Sequence, residues 1–180
     1  LSVPPAFVIT TAACTDVLEH GRIPADLGDA LEQALAWLEG GTGRTFGSGP
    51  HPLLVSVRSG APVSMPGMMD TVLNLGMTDD VEAQLASECE DAEFARDTHR
   101  RFIELYSNIV LKTPVDLPAG GDPHEWRGAV ATAAAAEIPQ DPRGQLRGAV
   151  EAVFHSWNSR RARRYRDHHG IAHDLGTAVT

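Results

Sequence analysis

Lysine is nearly missing from this chain: Lys112 stands alone, and every other fixed cation is an arginine. In a single sequence this reads as a compositional bias of the source. Cysteine is scarce too. Cys14 and Cys89 supply neither a disulfide framework nor metal-ligand spacing, so both are expected to be buried thiols of a reducing compartment. No stretch approaches the roughly 20 apolar residues that span a bilayer, and the start shows neither the basic region nor the apolar core of a secretory signal. A soluble, cytoplasmic protein with no membrane partner is expected. Positive charge is in deficit, with 24 acidic residues against 15 basic and a net charge of −9. That excludes general nucleic-acid binding, whose affinity comes from neutralising phosphates. A P-loop is lacking as well. Gly40 to Pro52, GGTGRTFGSGPHP, is glycine-rich, but Gly43 is followed by Arg44 and Thr45 where Gly-Lys-[Ser/Thr] would have to enter a helix. It reads as a plain connection, because glycine and proline clusters mark turns.

What is present is organised around Leu53 to Gly76, LLVSVRSGAPVSMPGMMDTVLNLG. Leu53, Val55 and Val57 alternate with Leu54, Ser56 and Arg58, the pattern of a largely buried strand that gives out at the arginine. Ser59, Gly60, Pro62, Pro66 and Gly67 then force a loop, and Thr71 to Leu75 is a second strand. A guanidinium at the end of such a strand suits phosphate or carboxylate oxygens, since its donors are fixed in a plane. Glycines beside it admit a ligand to the backbone, and Met68 and Met69 offer a soft apolar wall for a flat ring. A structural ion pair for Arg58 and core packing for the methionines are the competing readings.

Elsewhere the pattern is mostly helical. PPAFVITT, Pro4 to Thr11, reads as a short strand, followed by a helix from Ala12 to His20 that Gly21 ends. Leu27, Leu31, Ala34, Leu35 and Leu38 define an amphipathic helix over Pro24 to Glu39, with Gly40 and Gly41 as its stop. Asp79 and Glu82 have capping-box spacing before a third helix, and Glu88 to Asp91 marks a break. A helix over Glu93 to Leu111 carries Phe94, Phe102, Leu105, Tyr106, Ile109 and Val110 for packing. On it Arg100 and Arg101 point about 100° apart, so one at most faces a given site. Lys112 to Pro123 is a loop, His124 to Glu137 a helix, and Asp141-Pro142 the start of another. Its stripe of Leu146, Ala149, Val150, Val153, Phe154 and Trp157 is core. Five arginines between Arg160 and Arg166 read as a solvated face. Asp167, His168, His169 and His173 lack the spacing of a third ligand, so no metal site is assigned.

The segments VSVRSGA, SMPGMMDT and LNLG resemble the signature of the nucleotide-binding domain of the pyruvate, phosphate dikinase family. Related dikinases share the Val-Arg-Ser element but generally lack Met-Pro-Gly-Met-Met. The likeness continues through DTHRRFI, where His99 stands in place of the usual aromatic residue, through Ser156 to Ile171, and into HDLGTAV. The resemblance implies an α+β fold: a partial ATP-grasp first lobe, a small mixed sheet with helices, over 1–78. An inserted α-helical subdomain would cover 79–172, and 173–180 would begin a strand of the second lobe. It implies ATP and phosphate as ligands, with Arg58, Arg101, Gly67 and Met69 binding them and Arg101, of the arginine pair, facing phosphate. Mg²⁺ would accompany ATP. The parent would convert ATP, phosphate and pyruvate to AMP, pyrophosphate and phosphoenolpyruvate through a phosphohistidine. The phosphate-binding lysine, the metal ligands, the phosphohistidine domain and the pyruvate barrel would lie in other parts of the parent. No catalytic residue or metal ligand is therefore expected here, and this chain alone would be catalytically incomplete. Its partner would be the phosphohistidine domain of the same parent, and dimerisation of the parent is left open. A non-catalytic fragment, an interaction module, and a dikinase with another acceptor are the alternatives.

Overall fold

A computed structural model describes residues 3–118 and 120–180. In chain order the elements are α1 (Thr11–His20), α2 (Ala25–Thr42), β1 (Thr45–Phe46), β2 (Pro52–Leu53), β3 (Val55–Gly60), β4 (Thr71–Leu75), α3 (Asp79–Cys89), α4 (Ala92–Ile109), α5 (Pro123–Ala134), α6 (Pro142–Ser156), α7 (Arg160–His169), a 3-10 turn (His173–Leu175) and β5 (Ala178–Val179). The class is α+β, as expected. β1 pairs with β2 in parallel, and the other strands form a sheet in the order β4-β3-β5. The chain divides into two compact units. One contains residues 3–42, 57–71 and 150–180; the other contains Gly43–Ser56 and Val72–Ala149. The chain passes from one to the other after α2, within β3, at the start of β4 and within α6.

In the first unit, the leucine period of α2 buries Leu31, Leu35 and Leu38, as the sequence predicts. The helix does not stop at Gly40 and Gly41. Glycine weakens a helix by about 1 kcal/mol but does not by itself end one; this helix ends just before a left-handed residue, Gly43 at φ 66°. The expected strand at Pro4 to Thr11 shrinks to a single bridge, in which Ile9 and Val179 exchange backbone hydrogen bonds of 2.7 and 2.9 Å. Two prolines ahead of it leave no amide donors with which to extend the ladder. β5 lies antiparallel to β3, with Ser59 opposite Val179 and Gly60 opposite Ala178. Of β3 only Val57 is buried, so the largely buried strand of the sequence reading is corrected to a half-exposed one.

The apolar stripe of α6 closes this unit's core around Val150, Val153, Phe154 and Trp157, all buried. The Trp157 indole donates to the His173 carbonyl at 2.8 Å. The Arg166 guanidinium lies 3.9 Å from the Trp157 ring centroid and donates from Nη1 to the Trp157 carbonyl at 2.6 Å. Arg166 is fully buried, which corrects the solvated-face reading for that one arginine. Burial, and then the neighbouring charge of Arg163, hold it below its ordinary pKa. The other arginines of α7 are exposed.

In the second unit, α3 to α5 and the first part of α6 pack around Phe102, Tyr106, Trp126, Val130 and Leu146. The cap of α3 differs from expectation: Thr78 Oγ1 accepts from the Val81 amide at 3.2 Å, and Asp79 is already helical. The capping box instead starts α5, where Asp122 and Glu125 bond each other's backbone amides and Pro123 follows. Phe94 is 50% exposed and adds less to this core than expected, although its neighbour Ala95 is fully buried. Gln145, which the sequence reading passed over, is buried and saturated. Its Oε1 accepts from Gly76 N at 2.9 Å, and its Nε2 donates to Met77 O at 2.9 Å and Pro139 O at 3.0 Å. Gly76 itself has φ 96°, and a Cβ there would come within 2.8 Å of the Phe46 ring, so only glycine fits between them.

His99 is buried in α4, with Nδ1 2.8 Å from Glu82 Oε2 on α3; Glu82 Oε1 accepts from Arg96 Nε at 2.6 Å. Asp79 of α3 and Arg127 of α5, paired to each other, also act on the ring. Desolvation dominates and pulls the imidazole below its ordinary 6.5, against the opposing pull of Glu82. The folded state therefore binds fewer protons than the unfolded state, and stability drops as pH falls below about 6.5. Asp79 and Glu88, held low chiefly by hydrogen bonds from Arg127 and Arg44, lose their contribution only below their ordinary 3.8 and 4.5. Melting temperature is thus expected to decline between pH 7 and pH 5.5, and His99→Phe to flatten that decline. An unchanged slope in the variant would assign the titration to another group.

Candidate nucleotide site

Arg58 lies inside β3, two residues before its end, rather than at the end as expected. The strand runs on because β5 supplies a partner: Arg58 N donates to Thr180 O at 2.7 Å, and Thr180 N donates to Arg58 O at 2.8 Å. The backbone is thereby fixed while the side chain stays exposed. Among the described residues no carboxylate lies within ion-pair distance of it, so the structural ion pair that competed with a ligand role is not found.

Gly67 and Met69 occupy the loop between β3 and β4. Gly67 has φ 71°, and a Cβ on it would meet nothing within 4 Å, so the backbone there is open to approach. The turn is closed by Met68 N donating to the carbonyl of buried Met65 at 3.1 Å. Met68 and Met69 are half-buried, which mixes the two readings of the sequence. The loop is held by Ser156 and Arg161, two contributors that sequence reasoning missed. Their signal is present, since Ser156 and Arg161 fall in segments that resemble the family pattern, but by sequence alone the arginine reads as one of a solvated run.

Arg101 belongs to the second unit, whereas Arg58, Gly67 and Met69 belong to the first. Arg101 is exposed and pairs through Nε with Asp97 at 2.7 Å. Its neighbour Arg100 pairs with Asp97 at 3.1 Å and Glu104 at 2.5 Å, so Asp97 serves both guanidinium groups. Both arginines border an open cleft of about 1200 Å³ that also has Leu54, Leu73, Phe94 and Asn108 in its walls. Asp97, Glu104 and Asp116 line it as well, so the cleft has an apolar side for a ring, but its two cations are already offset by carboxylates.

His173, in the 3-10 turn after α7, is engaged otherwise. Arg166 Nε donates to His173 Nδ1 at 3.0 Å, which leaves the proton on Nε2 to meet Asp167 at 2.9 Å. Among the described residues no group of three or more His, Cys, Asp or Glu side chains is placed to hold a metal ion. No helix among the described residues is long and apolar enough to cross a membrane. Cys14 is buried, and desolvation raises its thiol pKa, but Cys89 is exposed at the end of α3. The expectation of two buried thiols is corrected for the second: the break that frees α4 also leaves the last turn of α3 in solvent.

The class to which these elements belong is that of AMP/ATP-binding domains: residues 16–180 match a family model described as pyruvate phosphate dikinase, AMP/ATP-binding domain. Pyruvate, phosphate dikinase 2 of Oryza sativa subsp. japonica is 41% identical over 202 residues, covering 99% of this chain and 23% of the relative. The pyruvate, phosphate dikinases of Rhizobium meliloti (strain 1021) and Clostridium symbiosum are each 41% identical with the same coverage. The chain belongs to the pyruvate phosphate dikinase AMP/ATP-binding domain family. It spans about a quarter of the length of the curated relatives it matches.

Proposed function

We propose that this chain supplies part of the ATP- and phosphate-binding domain of a pyruvate, phosphate dikinase. The parent would convert ATP, phosphate and pyruvate to AMP, pyrophosphate and phosphoenolpyruvate, with a phosphohistidine carrying the phosphoryl group. The observation that carries this reading is Arg58: a guanidinium without a carboxylate partner among the described residues, on a strand whose backbone is paired, in a motif shared with a nucleotide-binding family. Phosphoryl transfer asks a protein mainly for positioning and charge neutralisation, and a permanently charged planar donor suits both. In this reading Arg58 clamps phosphate oxygens of Mg·ATP, Arg101 meets the γ-phosphate or inorganic phosphate, and Gly67 and Met69 line the nucleotide side.

The lobe assignment belongs to the same proposal: 1–78 as part of an ATP-grasp first lobe, 79–172 as its helical insertion and 173–180 as the start of the second lobe. So do cytoplasmic residence, docking with the phosphohistidine domain of the parent and a homodimer of the parent. Calorimetric titration of the full-length polypeptide with Mg·ATP tests the core of it. Each lost charge-assisted hydrogen bond is worth about 1.5–3 kcal/mol, so Arg58→Ala and Arg101→Ala should each weaken binding by roughly ten- to a hundredfold. Wild-type affinity in both variants would move the site off these residues, and a wild type that binds no ATP would end the reading.

A further inference from the structure

The loop that carries Gly67 and Met69 is tied down from outside itself. Its internal support is slight: one turn hydrogen bond, from Met68 N to Met65 O, and one buried side chain, Met65. Pro62, Val63, Ser64, Pro66 and Gly67 are all exposed. The next three residues, 68 to 70, each meet a side chain from the end of α6 or the start of α7. Arg161 donates from Nε to the Met68 carbonyl at 3.0 Å and pairs through Nη2 with the Asp70 carboxylate. Ser156 Oγ lies 3.9 Å from the Met69 sulfur and accepts from the Asp70 amide at 3.3 Å. That hydroxyl spends its own proton on the Val153 carbonyl at 2.7 Å, so its direction is set by α6.

Only arginine can make both of the Arg161 contacts at once. Its planar fork separates Nε from Nη2 by a fixed geometry, so a carbonyl and a carboxylate two residues apart are held in register; an ammonium is a point. Asp70 is 15% exposed and Arg161 52%, so the pair is shielded from water on the carboxylate side only.

We propose that Arg161 is a positioning residue for the nucleotide: it holds the backbone of Met68 to Asp70 in the form that receives the ligand's base and sugar, without touching the ligand. This rests on the reading that Gly67 and Met69 line the nucleotide side. Its consequence is specific to that part of the ligand. Arg161 has no role toward the phosphate chain, which falls to Arg58 and Arg101.

The test is calorimetric titration of the full-length polypeptide with Mg·ATP and, separately, with Mg·tripolyphosphate, which has the phosphates but no base or sugar. Wild type, Arg161→Ala and Asp70→Asn are compared, with Arg164→Ala, exposed on the same helix, as the control. A loop freed to occupy its binding form roughly a tenth of the time lowers ATP affinity about tenfold. Tripolyphosphate affinity should stay within about twofold of wild type, because the loop does not meet that ligand. Equal losses for both ligands would reduce Arg161 to a support of the fold and overturn the proposal, as would unchanged ATP affinity in folded Arg161→Ala. Should that variant not fold, the nearly isosteric Asp70→Asn decides by the same comparison of the two ligands. A wild type that binds neither ligand would overturn the underlying reading and this inference with it, whereas wild-type ATP binding left intact by Arg161→Ala overturns this inference alone.

Discussion

Arg58→Ala in the full-length polypeptide is expected to lower turnover by about a hundredfold or more, the usual cost of removing one fixed donor from a developing phosphoryl charge. Melting temperature should hardly move. The side chain is exposed, and both backbone groups of Arg58 are paired with Thr180 whatever the side chain is; surface substitutions of this kind fall within about 0.5 kcal/mol. Arg58→Lys should recover only part of the activity, because an ammonium keeps the charge and loses the fork. The measurement is kcat for the overall reaction beside a thermal melt. Near-normal turnover in a folded Arg58→Ala protein would sink the assignment of the phosphate clamp.

The largest expected loss of stability comes from Trp157→Ala, at about 3–5 kcal/mol, the range for removing a large aromatic side chain from a packed interior. Three losses coincide there: the ring volume, the indole hydrogen bond to His173 O, and the surface on which the Arg166 guanidinium rests. That guanidinium would then border a cavity while still buried, a costly place for a charge. Trp157→Phe keeps most of the volume and a π face but not the indole donor, so it should cost markedly less. Denaturant unfolding of the two variants separates these contributions. Similar losses in both would make the hydrogen bond, rather than the packing, the dominant part. Against a total stability of roughly 5–15 kcal/mol, the alanine variant approaches the limit of what the fold can bear.

Elements whose pattern is local were legible in the sequence. The leucine period of α2, the apolar stripe of α6, and the strand, loop and strand around Arg58 all follow from periodicity and from proline and glycine punctuation. Features decided by distant partners were not. β3 runs past Arg58 because β5, near the far end of the chain, offers it hydrogen-bond partners, and no pattern within LLVSVRSGA encodes that. Arg166 looks like its four exposed neighbours until Trp157 is placed beneath it. Gln145 and Arg161 are polar residues whose value lies in the carbonyls, amides and carboxylate they meet across long sequence separations. For the candidate site, the motif made Arg58, Gly67 and Met69 conspicuous, whereas the side chains that support the loop could be found only from the fold.

The pairing of Ile9 and Ser59 with Val179 bears on how the chain is made as well as how it is held. A ribosome releases residues in order, so Ile9 and Ser59 wait until Val179 has been made before their partner exists. All of Gly43–Ser56 and Val72–Ala149 has been synthesised well before that point. Its helices meet neighbours close in sequence, the arrangement that closes at the least entropic cost. During synthesis the helical unit can therefore assemble first, and the strand that carries Arg58 gains its β5 partner only afterwards.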